Sequence, residues 1–174
     1  MKQTKLTVSL FVVVSIDGYI ARNIEDTPFQ WNSREDQDHF LQSTREIGVL
    51  IMGNRTYKSM GGKVRSGLEY YVFSHSEEQN SSNLNYVKGD SKEVLVSLEK
   101  NGVTRVALIG GNEVYTQFLQ AGLVDTMFVT IEPVVFGSGI PFISGLNMPI
   151  RWELVTSSLL NATGTLLLEY DLRE

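Results

Sequence analysis

The chain has 174 residues, 42% apolar and 20% charged, with no cysteine, two histidines and a net charge of −5. That length and balance fit a single globular domain with ample material for a core. They exclude a disulfide framework, a thiolate metal site and a cysteine nucleophile; the wide separation of His39 and His75 argues against a zinc site, and the lack of a basic stripe argues against nucleic acid or an anionic membrane as partner.

Lys2 and Lys5 precede the apolar run Leu6–Ile16, which has the look of a signal peptide but is short for a membrane span. Asp17-Gly18-Tyr19-Ile20 follows it in place of a small-residue cleavage site, so a buried first strand is the better account, and the absence of cysteine fits the cytoplasm. Leu6–Ser15 is rich in valine without clean alternation, as expected of a strand covered on both faces. Residues 21–32 have no period and contain Pro28, which predicts a long loop of the kind that often forms a lid or binding segment. Ser33–Arg45 predicts a helix with Ser33 near its cap and Phe40 and Leu41 inward.

Val49–Met52 is a short apolar strand ending at Gly53, and Asn54–Met60 reads as a short helix ended by Gly61-Gly62. Tyr70–Phe73 is a further strand, Glu77–Asn85 a polar surface loop and Tyr86-Val87 a short strand. Ser91–Lys100 is amphipathic, with Val94, Leu95 and Leu98 inward. The run Val106–Ile109 stops at Gly110-Gly111, and Val114, Tyr115, Phe118 and Leu119 follow at helical spacing. Thr126–Ile131 is the next strand. Glu153–Leu159 and Thr165–Tyr170 form an antiparallel hairpin around Asn161–Gly164 that closes one edge of the sheet, with Trp152, Leu154 and Val155 packing these last strands. Strands alternating with helices predict an α/β class with a largely parallel sheet.

Two strand-to-helix turns thus carry glycine. In an open α/β sheet ligands lie beyond the carboxyl ends of the strands, and residues without Cβ let backbone approach a ligand closely. The N–H groups of a helix's first turn then face any anion there. Such a pair of turns suits an elongated ligand with phosphates, such as a dinucleotide, with Arg55 and Thr56 supplying a cation and a hydroxyl. A tight turn with nothing bound, and Thr56 merely capping its helix, would read the same way. No G-x-G-x-x-G follows the first strand, so this is not a Rossmann domain.

The blocks SIDGYIA (15–21), WNSREDQDHF (31–40), LIMGNRTYKSM (50–60), YVFSHS (71–76), ALIGGNEVYTQFLQAGLVDTMFVTIEP (107–133) and FGSGIPF (136–142) occur in an order and spacing that resembles the dihydrofolate reductase superfamily. The likeness is to the branch containing the C-terminal reductase domain of the bacterial riboflavin-pathway deaminase-reductase (RibD C-terminal). The resemblance implies a three-layer fold over residues 1–174: a mostly parallel central sheet, helices on both faces and a C-terminal antiparallel hairpin. It implies NADPH as cofactor and hydride transfer to a heterocyclic or sugar-derived substrate. Carried over by block, Gly110, Gly111, Asn112 and Val114, with Tyr115 beside them, would cradle the diphosphate. Gly53, Arg55 and Thr56 would hold the adenosine end, Ser74, His75 and Ser76 would lie near its ribose and 2′-phosphate, and Val14 to Ile20 would border the nicotinamide. Two departures concern the phosphate: Asn54 stands where the family usually has arginine, and His75 where a basic residue is common after the serine.

In dihydrofolate reductases an acidic residue lies five positions after the loop tryptophan, which places Asp36 here as the carboxyl group that would hold substrate and help supply a proton. The alternative is that Asp36 is the third residue of a helix capped by Ser33, where a carboxylate favours the dipole and bonds back to the cap. Trp31, Phe40 and Thr130 would border the substrate, and Lys63 and Arg65 would meet a substrate phosphate. The leading expectation is a stand-alone NADPH-dependent reductase most like 5-amino-6-(5-phosphoribosylamino)uracil reductase; dihydrofolate reductase and a catalytically inactive nucleotide-binding module are the alternatives. The partner is then a small pyrimidine or pterin, and relatives of this kind often form homodimers.

Overall fold

Thr7–Ser15 (β1) lies inside an eight-stranded sheet, hydrogen-bonded in parallel to Arg105–Leu108 (β6) on one side and to Thr126–Glu132 (β7) on the other. That placement explains its unalternating sequence: Val8, Leu10, Val12 and Val14 enter one hydrophobic core while Phe11 enters a second on the opposite face. The computed structural model describes residues 6–76 and 78–172. Lys2, Lys5 and Glu77, the first residue of the expected polar loop, lie outside them.

The remaining strands are Tyr19–Ala21 (β2), Val49–Gly53 (β3), Glu69–Phe73 (β4), Leu84–Val87 (β5), Ile140–Pro141 (β8), Trp152–Leu159 (β9) and Leu166–Leu172 (β10). The large sheet runs β5-β4-β3-β6-β1-β7-β10-β9, parallel as far as β7 and antiparallel through β10 and β9. Four α-helices cover it: Arg34–Ile47 (α1), Asn54–Ser59 (α2), Ser91–Lys100 (α3) and Asn112–Gln120 (α4). Leu95 and Leu98 of α3 and Val114, Phe118 and Leu119 of α4 pack in the first core. Tyr57 of α2 is buried in the second, with Phe40 and Ile47 of α1 half-buried against it. The architecture is three-layered, with helices on both faces of a mostly parallel sheet. Among the described residues no helix is long and apolar enough to cross a membrane.

Three features depart from expectation. Residues 21–32 are not wholly irregular. β2 pairs antiparallel with β8 in a small second sheet, and Pro28–Gln30 forms a 3₁₀ turn capped by Thr27. Asp17 accepts the backbone N–H groups of Phe136 and Gly137 at 3.1 and 2.7 Å, and a Cβ at Gly139 would fall on the Ala21 carbonyl, so the second glycine of the Gly-Ser-Gly run permits this contact. Finally, Leu154 and Val155 do not pack the last strands. They are 56% and 50% exposed because β9 is the sheet's edge, and only Trp152 reaches the core.

The start of α1 is fixed from a distance. Ser33 Oγ accepts the Asp36 N–H at 3.3 Å, as a cap should. The Ser33 N–H itself donates to Glu132 Oε1 at 2.7 Å, and Glu132 Oε2 accepts the Thr165 hydroxyl at 2.8 Å. Glu132 is 4% exposed, so it joins α1, β7 and the approach to β10 with a carboxylate that water scarcely reaches. Glu132→Ala leaves two donors unsatisfied in the interior and should cost at least about 2 kcal/mol of unfolding free energy. Urea denaturation followed by far-UV circular dichroism checks this. An unchanged midpoint would show that the three elements do not depend on the carboxylate.

Candidate active site

The two glycine turns meet. β3 and β6 are neighbours, Ile109 N–H donates to the Ile51 carbonyl at 2.9 Å, and Gly53 N–H donates to the Gly110 carbonyl at 2.7 Å. The Gly110-Gly111 peptide is cis. A Cβ on Gly110 would press on the Tyr115 ring, one on Gly111 would lie 3.1 Å from Thr56 Oγ1, and one on Gly53 would lie 3.3 Å from Val114 Cγ2. Close approach, rather than the bend alone, therefore requires glycine here. Tyr115 secures the arrangement from behind: its buried hydroxyl donates to the Phe11 carbonyl at 2.6 Å, and burial pushes its pKa up.

Beyond these strand ends lies a cavity of about 850 Å³, within the range of small-molecule sites. Its middle is lined by Gly53, Thr56, Gly110, Gly111, Asn112 and Val114. The first N–H groups of α4 have no intrahelical partner and carry the positive end of the helix dipole to this wall. The Asn112 carboxamide is engaged elsewhere. It donates to the Pro141 carbonyl at 2.8 Å and accepts the Ser144 hydroxyl at 3.0 Å, so Asn112 serves the cavity through its backbone.

One end of the cavity is lined by Phe11, Asp36, His39, Phe40, Phe128 and Thr130. Asp36 is 5% exposed, and burial raises its pKa, as the nearby Glu132 carboxylate also does, while Thr130, Asn32 and His39 pull it down. Asn32 Nδ2 donates to Asp36 Oδ2 at 2.6 Å, and Gln37 Nε2 donates to Asn32 Oδ1 at 2.9 Å, which orients the amide toward the carboxylate. The Ser33 N–H goes to Glu132 and not to Asp36, so Asp36 makes no reciprocal capping bond, while its place in the first turn of α1 still favours the helix dipole. Phe11 and Phe128, register partners on β1 and β7, stack at 4.8 Å. His39 is half-buried beside both rings, and desolvation lowers its pKa although Asp36 and Glu169 oppose this.

The other end is formed by Asn54, Arg55, Ser74, His75, Ser76 and Lys88. Ile20, from β2, lines the middle portion with its neighbour Ala21. The loop after β2 also borders the cavity and is held by Asp26, whose buried carboxylate accepts Arg22 Nε and Nη2 at 2.7 Å each and the Arg22 N–H at 2.9 Å.

Four expected site residues are not among the lining. Val14 points into the core on the α4 face. Trp31 follows the 3₁₀ turn and packs edge-on against Phe136 at 5.0 Å. Lys63 and Arg65 follow Gly61-Gly62 onto the exposed surface away from the cavity. Conversely, sequence reasoning missed Phe11, Asn32, His39 and Phe128. His39 had a usable signal, since it lies three residues after Asp36 on one helix face. Phe11 and Phe128 had none, because a strand aromatic reads the same in a core and in a pocket wall.

Known proteins share the fold of this chain. The uncharacterized protein YwjB of Bacillus subtilis (strain 168) is 25% identical over 155 residues, 83% of this chain and 87% of that protein. A pyrimidine reductase-like protein from Corynebacterium diphtheriae superposes with a TM-score of 0.81 at 16% identity, covering 97% of this chain and 92% of that one. Dihydrofolate reductase from Enterococcus faecalis, solved with NADP(H), superposes with a TM-score of 0.76 at 18% identity, covering 97% of each chain. Residues 62–164, more than half of the sequence, match the RibD C-terminal domain, and the chain belongs to that family.

Proposed function

We propose that this chain is a reductase that uses a reduced nicotinamide dinucleotide to reduce a small nitrogen heterocycle or its sugar conjugate. The observation that carries the reading is the pairing, within one cavity, of a backbone cradle and a buried carboxyl group. The cradle fits a diphosphate: Gly53, Gly110 and Gly111 leave main chain bare along its wall, and the first amides of α4 open onto it. When bound, a reduced nicotinamide supplies a hydride. With the diphosphate at the glycines, the nicotinamide belongs at the end that holds Asp36 and the adenosine at the end that holds Ser74.

The chain's own residues then have separable tasks. Phe11 and Phe128 offer a flat apolar wall against which a planar ring lies. Asp36 faces that space with its pKa raised, so it accepts hydrogen bonds from a ring amino group or donates its proton to a ring nitrogen. Asn32 and Thr130 fix the carboxyl orientation. The leading substrate is the pyrimidine of the riboflavin pathway, 5-amino-6-(5-phosphoribosylamino)uracil, in keeping with the family. Dihydrofolate is the second reading; among the described residues no lysine or arginine lines the Asp36 end, so neither a substrate phosphate nor the glutamate carboxylates of a folate would meet a cation there. Of the two nicotinamide dinucleotides, the resemblance implies NADPH, and the residues at the ribose end decide between them.

Asp36→Asn should lower turnover by two to four orders of magnitude, the usual contribution of a positioned acid or base, with dinucleotide affinity changed little. Steady-state rates with each substrate, beside fluorescence titration of the nucleotide, separate the two effects. If turnover per folded molecule is unchanged, Asp36 does not serve the chemistry; if neither substrate is reduced by the parent, a binding module is the better description.

The same substitution has a pH signature. The folded pKa of Asp36 lies above its unfolded value, so the native state binds more protons and stability falls as pH rises through that interval. Asp36→Asn should therefore melt higher than the parent near neutral pH, with the gap closing below the unfolded carboxylate value of about 3.9. Differential scanning calorimetry across that range checks it, and a gap that widens toward acid would contradict it.

Gly111→Ala sets a methyl group 3.1 Å from Oγ1 of Thr56, a residue that lines the cavity. It should weaken dinucleotide binding about tenfold or more with a smaller loss of thermal stability. Isothermal titration measures the first and a melting curve the second, and full-strength binding would remove the glycines from the site.

A further inference from the structure

A second buried carboxyl group stands behind Asp36. Phe128, Thr130 and Glu132 are alternate residues of β7 and share one face of it. Phe128 lines the cavity, the Thr130 hydroxyl meets the Asp36 carboxyl group, and Glu132 holds the helix that carries Asp36. The two carboxyl groups also share Ser33, whose N–H goes to Glu132 Oε1 while its hydroxyl accepts the Asp36 N–H.

The hydrogen bonds around Glu132 fix its charge. The Ser33 N–H can only donate. Asn161 Oδ1 accepts the Gly164 and Thr165 N–H groups at 3.1 Å each, which leaves Nδ2 of that amide to donate to Thr165 Oγ1 at 2.9 Å. The proton of the fully buried Thr165 hydroxyl is then free for Glu132 Oε2, at 2.8 Å. Both Glu132 oxygens accept, as those of a carboxylate do. Ionising Asp36 as well would set two like charges side by side where little water screens them.

We propose that Glu132 is a positioning residue for Asp36: its carboxylate, fixed on the same helix start and the same strand, holds the proton on Asp36 and so sets the pH range in which Asp36 serves as an acid. This rests on the role given to Asp36 above. The bond to Ser33 supplies the aim, and the charge supplies the proton. When Asp36 has given its proton to a ring nitrogen, repulsion from Glu132 favours its taking another from solvent before the next turnover. Other charges act around the pair. His39, on α1, pulls the other way, but burial lowers its own pKa, which weakens that pull as the pH rises. Glu169 of β10 acts on His39, and the exposed Glu35 accepts Asn161 Nδ2 at 3.1 Å.

Carbon-13 NMR of the side-chain carboxyl groups reads the coupling without substrate or cofactor, with Asp36→Asn and Glu132→Gln assigning the two signals. In the parent, raising the pH should ionise Glu132 first and Asp36 second. Glu132→Gln keeps an oxygen for the Ser33 N–H and removes the charge. The Asp36 titration should then move to lower pH, and the alkaline limb of the turnover profile with it, each pH unit of movement costing about tenfold in rate on that side. Glu132→Asp keeps the charge and shortens the reach, so it should melt lower while Asp36 titrates nearer the parent than it does in Glu132→Gln. A merely structural Glu132 would lower the melting temperature and leave the Asp36 titration unmoved. Asp36 ionising first in the parent, or an unmoved titration in Glu132→Gln, overturns the assignment, and the first is read whether or not the variant folds. If the coupling is found and the parent reduces neither substrate, the reductase reading falls and takes this role with it. If turnover depends on Asp36 and the coupling is absent, that reading stands and only this assignment falls.

Discussion

A single backbone hydrogen bond, from Gly53 N–H to the Gly110 carbonyl at 2.7 Å, makes one surface out of two strand exits. Parallel neighbours normally diverge where their chains leave for separate helices. Here the ladder between β3 and β6 continues one step into the turns, and side chains at Gly53, Gly110 and Gly111 would press on Val114, Tyr115 and Thr56 around it. The bond matters because of what stands on either side. β3 leads to α2 and the wall with Asn54, while β6 leads to α4, whose Tyr115 hydroxyl reaches across to the Phe11 carbonyl. Loosening the join would part the Asn54 wall, which follows β3, from the start of α4, which follows β6.

Most of the fold was legible because its determinants are local. Val106–Ile109 followed by two glycines and a helical period specifies a buried strand, a close turn and an amphipathic helix without reference to anything else. The same holds for α3, whose Leu95 and Leu98 are as buried as the periodicity required. What escaped notice depends on distant partners. Ile140–Pro141 is too short to announce a strand and contains proline, yet it pairs with β2 because Asp17 gathers the Phe136 and Gly137 amides. Leu154 and Val155 look like core residues by composition alone. Their exposure follows from β9 being last in the sheet order, which no local pattern encodes.

The site was legible in its backbone and less so in its side chains. Every glycine expected at the cradle lines it, because glycine's role there is steric and travels with the sequence block. Lys63 and Arg65 were assigned by charge, and charge does not say which way a loop turns after two glycines. His39 illustrates the converse. Its type and helical spacing from Asp36 were visible, but the downward shift of its pKa comes from burial beside Phe11 and Phe128, which β1 and β7 supply.

Three buried carboxyl groups show how structure and function divide among similar residues. Asp26 is met by the Arg22 guanidinium and backbone, which hold its pKa down, and its product is an ordered loop. Glu132 has one oxygen on the Ser33 amide and the other on the Thr165 hydroxyl, and its product is a fixed helix start. The Asp36 carboxyl group is met by the Asn32 amide and the Thr130 hydroxyl, and burial dominates its pKa. A carboxyl group kept in that condition is a cost to the native state at neutral pH. The fold already caps α1 through Ser33 and Glu132, so retaining Asp36 brings the helix no hydrogen bond it lacks. Under the proposed function the missing partner arrives with the substrate: a donor on a flat ring lying along Phe11 and Phe128 would complete the set that Asn32 and Thr130 begin.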